Sequence, residues 1–131
     1  LEEQITALEK EGLAEVEWAY LRKINMLVRE GRFNYALEYC RGRLRERESL
    51  VLREKLGDLY AKNDLVQEAG EQYETVIEKA DNAATAVRVG VRWILILRLL
   101  DRSEDAARVE ADLRARWKDS PQLAWLEMAK P

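Results

Sequence analysis

The residues here whose types and spacing could do chemistry are acidic. Glu68, Glu71, Glu74 and Glu78 recur at three- and four-residue intervals, which sets their carboxylates along one side of a helix. Paired carboxylates act as general acid and base when burial or a like charge pushes one pKa upward. Nothing in the flanking sequence would desolvate these four, so a solvated helix face is expected. Cys40 is the single thiol, and the chain has no His. No imidazole can activate it, no internal disulfide can form, and the commonest metal ligand is missing. It falls on an apolar stripe with Ala36, Leu37 and Leu44, as a small hydrophobe turned inward would. No GxSxG, phosphate-binding loop, HExxH or Cys pair occurs. The expectation is a protein that is not an enzyme and uses no cofactor or metal.

Arg41, Arg43, Arg45 and Arg47 could touch phosphates. Alternation spreads them around a helix, and Glu46 and Glu48 interrupt them, so an ion-paired surface is the first expectation and RNA contact the second. A net charge of −3 also speaks against a nucleic-acid partner.

These residues need elements to position them, and the elements are helical. Gly (6) and Pro (2) are scarce and 36% of residues are charged, which suits helices with solvated outer faces. At 131 residues a single domain buries enough surface to need no staples. Leu1, Ile5 and Leu8 share a face, and Gly12 breaks or bends that pattern. Leu13, Val16, Tyr20, Ile24 and Leu27 make one stripe of a helix and Trp18, Leu21, Asn25 and Val28 a second. Gly31 ends that helix and Ser49 caps a later one. Helix 83–100 is apolar nearly all round, implying burial on several sides. Asp101-Arg102-Ser103-Glu104 is a turn in which Ser103 or Asp101 serves as a cap. Ser120-Pro121 opens a terminal helix. The run Trp93 to Leu100 is too short to span a bilayer and carries Arg98. No signal peptide is visible. The chain opens on Leu1 rather than Met, which reads as a piece of a longer chain, and the compartment stays open between cytoplasm and periplasm.

The clearest stretch is Lys55 to Ala80. Leu56-Gly57-x-x-Tyr60, a turn at Asn63-Asp64, then Ala69-x-x-x-Tyr73 resembles the tetratricopeptide repeat. Gly31-Arg32-Phe33-Asn34-Tyr35-Ala36 resembles that family's turn, with Ala36 and Ala69 33 residues apart. Ala69 to Ala106 is 37, and Ile94 falls near where Gly57 fell, so the third unit is expected to lack the small residue of the first arm. The resemblance implies an all-α fold of stacked antiparallel helical hairpins, an α-solenoid with a right-handed superhelical trend. Its units are approximately 13–46, 49–80 and 83–117, with a terminal helix 121–130. Gly57 and Ala69 would face each other across one crossing.

The resemblance implies a scaffold or adaptor that takes a partner helix or peptide in a concave groove. Aligning the units puts Trp18, Leu21, Asn25, Val28, Val51, Glu54, Asp58, Arg88 and Val91 on that face. The plainer expectation for Trp18 is packing on residues 1–11; the alternative makes it an anchor for the partner. Trp93 and Trp117 are expected in the core. Leu1, Ile5 and Leu8 at one end and Trp125, Leu126 and Met128 at the other are expected to be partly exposed or paired with a second copy. Alternative functions are an RNA-binding helical repeat, or a regulatory domain of a larger enzyme or transcription factor.

Overall fold

A computed structural model describes residues 1–9, 13–118, 120–124 and 126. The side chains of Leu8 and Leu13, together with Gly12, Trp125 and Met128, lie outside the described residues. The described residues form seven α-helices and no strand. They are α1 (Glu2–Glu9), α2 (Leu13–Arg29), α3 (Phe33–Glu46), α4 (Leu50–Lys62), α5 (Val66–Lys79), α6 (Ala83–Leu99) and α7 (Ser103–Trp117), followed by a 3-10 turn at Pro121–Leu123. The chain divides into two compact units, Leu1–Ala69 and Gly70–Pro131, with the division inside α5.

In the N-terminal unit α1 packs on α2, α2 on α3, α3 on α4, and α2 also on α4. The apolar stripe of α2 turns inward as its spacing predicts: Val16, Tyr20, Ile24 and Leu27 are buried, with Ala19 beside them. Ala36 and Cys40 of α3 and Leu52, Leu56, Gly57, Leu59 and Tyr60 of α4 complete this core. Ala69 is buried as well. Ser49 caps α4 as expected, its hydroxyl accepting from Leu52 N at 3.1 Å. That hydroxyl also donates to Glu17 Oε2 on α2, a contact between distant residues that local spacing could not show. Arg43 lies over the rings of Tyr20 (4.7 Å) and Tyr39 (5.0 Å), and Lys23 over Tyr39 (4.7 Å). Burial first, then the positive fields of Arg43 and Arg32, hold the Lys23 ammonium below its usual pKa. Glu2 of α1 pairs with Lys23.

In the C-terminal unit α6 packs on α7 and on the 3-10 turn. Ala86, Val87, Val89, Gly90, Trp93, Ile94 and Leu97 of α6 are buried, facing Val109 and Leu113 among the buried residues of α7. The Tyr73 and Trp93 rings sit 5.3 Å apart at 42°. Asn82 caps α6 by accepting from Thr85 N at 2.9 Å. Arg116 of α7 donates to the carbonyls of Ile77 (2.9 Å), Glu78 (3.0 Å) and Ala80 (3.2 Å), satisfying acceptors that the end of α5 leaves open. Arg98 reaches Leu126 O at 3.0 Å and Glu110 at 2.9 Å, and Glu110 also receives Arg114.

Three turns share one backbone design. Gly31 (φ 76°), Asp64 (φ 62°) and Asp101 (φ 62°) take left-handed conformations. After each, the next N–H returns to a carbonyl five residues back: Arg32 to Leu27 (2.9 Å), Leu65 to Tyr60 (3.0 Å), Arg102 to Leu97 (2.8 Å). This is the Schellman closure of a helix end. The next helix then begins at the same offset each time, with Ala36, Ala69 and Ala106 donating to Arg32, Leu65 and Arg102.

Four expectations are corrected. Asp101 is the left-handed residue that ends α6, and the position before α7 is held by Arg102 without a side-chain cap, so neither Asp101 nor Ser103 serves as one. The small residue of the third unit is present: a Cβ on Gly90 would overlap the side chain of Leu113. Val89-Gly90-x-x-Trp93 repeats Leu56-Gly57-x-x-Tyr60 at 33 residues. Alignment on the turns hid it, because four additional residues lie between Gly90 and Asp101. The terminal segment opens with a 3-10 turn and is helical at Ala124 and Leu126, but Ser120 makes no side-chain capping bond. The fully apolar girth of helix 83–100 is not all covered: Leu99, in its last turn, is 86% exposed and Leu100 is exposed too.

Candidate functional site

The outward side of α2 carries Trp18, Leu21, Asn25 and Val28. Trp18 is 60% exposed, Asn25 is exposed, and Leu21 and Val28 are half-buried. Packing of Trp18 on residues 1–11 rests partly on side chains outside the described residues, and what is described is a largely exposed ring. Its one described ring contact is the Arg22 guanidinium at 5.3 Å, one helical turn along. A Trp in contact with solvent on this scale forgoes most of the free energy its burial would release. On α4 of the same unit Val51 is exposed, and Glu54 and Asp58 are half-buried. Arg88 is exposed and Val91 half-buried on α6 of the C-terminal unit. The packing of α2 on α4 brings the first seven of these nine residues into one unit.

The apolar ends are better covered than expected. Ile5 and Leu126 are fully buried, while Leu1 is exposed. Ile5 reaches the core because α1 packs on α2.

Cys40 is buried and its thiol donates to Leu52 O at 3.5 Å. Burial pushes its pKa up to about 12, against a smaller opposing pull from Lys55 and Arg53. A thiol held in its neutral form is neither nucleophile nor metal ligand. The α5 carboxylates are half-buried or exposed, and Glu74 is bound to Arg108 at 3.0 Å. No group of three or more ligating side chains among the described residues is placed to hold a metal. No described helix is long and apolar enough to cross a membrane.

The arginine run is partly ion-paired. Arg43 meets Glu46 at 3.2 Å and Arg45 meets Glu38 at 2.8 Å. The Arg45 hydrogen bond and charge hold the Glu38 carboxyl below its usual range. Arg41 and Arg47 are exposed and have no ion-pair partner among the described residues. Beside them the structure shows what sequence reasoning passed over. Tyr35 is 64% exposed, with the Arg32 guanidinium 4.6 Å from its ring centre. It lies in the first turn of α3, inside the Gly31–Ala36 stretch whose spacing marks Ala36 but says nothing of Tyr35.

Comparison with protein-family models, with curated proteins and with solved structures returns no match.

Proposed function

We propose that this chain is a protein-interaction scaffold built from antiparallel helical hairpins of the tetratricopeptide kind, binding a helix or extended peptide of a partner protein. The repeated Schellman turns and the two Gly-x-x-aromatic stretches support the repeat reading. The observation that carries the function is Trp18: a large aromatic, 60% exposed, on a helix whose other face is already buried. Exposed Trp residues are among the side chains that anchor interfaces most strongly. In the N-terminal unit the contact set is Trp18, Leu21, Asn25, Val28, Val51, Glu54 and Asp58. Arg88 and Val91 are proposed as contacts on the C-terminal unit.

The test is affinity for a partner recovered from the native source, measured for Trp18→Ala and for Glu54→Lys with Asp58→Lys. Truncating an anchor costs about 2 kcal/mol or more, roughly thirtyfold in Kd. Folded variants that bind as tightly as the parent would move the site elsewhere.

A further inference from the structure

The outward stripe of α2 changes sign along its length. Glu15, Trp18, Arg22, Asn25 and Arg29 follow one another at intervals of three, four, three and four residues, so they share one face of the helix. All five are exposed. From Trp18 to Arg29 there is no acidic residue, while Glu15 stands about one turn before Trp18. The remaining cation of this stretch, Lys23, reaches Glu2 of α1. Arg22 and Arg29 have no ion-pair partner among the described residues, and neither has Glu15. The Arg22 guanidinium lies 5.3 Å from the centre of the Trp18 ring. Elsewhere arginines meet carboxylates: Arg45 meets Glu38, Arg53 meets Glu48, and Arg98 and Arg114 meet Glu110.

Building on the Trp18 reading, we infer that the partner segment is an amphipathic helix lying antiparallel to α2. Its acidic first two turns sit over Arg29 and Arg22, its apolar stretch covers Trp18 and the half-buried Leu21 and Val28, and a basic residue near its C-terminal end meets Glu15. The direction follows from two fields that agree. Carboxylates stabilise the first turn of a helix and cations its last turn. A partner helix with its acids first therefore matches the stripe only when it runs from Arg29 towards Glu15; the reverse direction would set its acids on Glu15. Fourteen residues of α2 separate Glu15 from Arg29, a span of about 21 Å that a partner helix of similar length covers. Glu54 and Asp58 belong to α4 and already interact within the chain. A single-stranded RNA fits less well, because it carries one sign along its whole length and would bring phosphates onto Glu15.

The experiment selects a displayed library of helix-forming peptides of about 16 residues on the full chain and keeps the clones that lose binding on Trp18→Ala. Asp and Glu should concentrate in their first two turns and Lys and Arg in their last. Fluorescence anisotropy then follows the enriched peptides. Arg22→Gln with Arg29→Gln should weaken binding about tenfold or more, while Arg22→Lys with Arg29→Lys should retain most of it. Both side chains are exposed, so circular-dichroism melts of the two variants should match the parent and keep lost binding from being confused with lost folding. A spin label on the first residue of the peptide should broaden the amide resonances around Arg29 more than those around Glu15. Absence of any Trp18-dependent clone overturns the Trp18 reading and the inference together. Trp18-dependent clones without an acidic first half, or clones that bind the Gln pair as tightly as the parent, overturn the inference and leave the Trp18 reading standing, and so does broadening centred on Glu15. Binding of an oligouridine of about 12 nucleotides that Trp18→Ala and the Gln pair abolish, with no peptide enriched, overturns the inference and assigns the face to RNA.

Discussion

Gly90 lies beneath Leu113, so closely that a Cβ on Gly90 would stand 2.9 Å from Leu113 Cδ2 and 3.0 Å from Cγ. The contact joins α6 to α7 in the core of the C-terminal unit, where both residues are buried. Ala at position 90 would gain helix propensity and lose more to overpacking, for a net cost of about 1–3 kcal/mol. Combining Gly90→Ala with Leu113→Ala relieves the clash, so the double variant should be less destabilised than the two single costs predict. Urea denaturation of the four proteins checks this, and strict additivity would show that the two residues do not press on each other.

Gly57, the 33-residue counterpart of Gly90, is buried on α4. Gly57→Leu should lower stability by about 1–3 kcal/mol or more. A variant that melts with the parent would show that the site of Gly57 has room for a larger side chain.

Ser49 acts at two places at once, accepting from Leu52 N and donating to Glu17 Oε2. Ser49→Ala loses the cap and leaves the Glu17 carboxylate short of a donor, a cost of about 1–2 kcal/mol. Ser49→Asp keeps the cap and sets two carboxylates together. It should therefore lose stability more at neutral pH than near pH 4, where carboxylates become protonated. Thermal melts of the three proteins at both pH values read this out.

Cys40 provides a pH test. Its thiol is ordinarily near 9.0 and is pushed up to about 12 in the fold. Between those values the unfolded chain has released the proton that the folded chain keeps, so stability falls as pH rises. The slope attributable to this group is about 1.4 kcal/mol per pH unit. Cys40→Ala should flatten the decline relative to the parent between about pH 9 and 11, whatever its stability at neutral pH. Parallel curves would remove the thiol from the balance.

How much was legible in the sequence follows from the range of each interaction. The α2 stripe, the Gly31 stop, the Ser49 cap and the inward Cys40 are set by residues within a turn or two, and each appears where spacing puts it. The Asn82 cap of α6 is equally local, an Asn side chain accepting from the N–H three residues on. The Glu17–Ser49 bond, the Arg116 fork and the burial of Ile5 join residues far apart or depend on how helices dock. Gly90 was hidden by a counting choice: the 33-residue period is kept by the helix interiors and lost by the turns. For the candidate site the residue types were legible, whereas exposure was not. An apolar side chain in a second stripe reads the same whether neighbours partly cover it, as at Leu21 and Val28, or leave it open, as at Trp18.

The four residues that separate Gly90 from the register of Gly57 make α6 one turn longer than α4, 17 residues against 13. Four residues add about 6 Å and rotate the helix end by roughly 40° beyond a full revolution. That modest overshoot leaves the Schellman turn at Asp101 intact while carrying Leu99 out into solvent. Lineage changes in hairpin length would therefore be tolerated in steps near four. An insertion of one or two residues swings the following side chains by about 100° or 200°, carrying the buried Ile94 and Leu97 off the inward face. Length variation in this architecture is quantised by the helical pitch, and the longer helix leaves an apolar side chain, Leu99, outside the core at its tip.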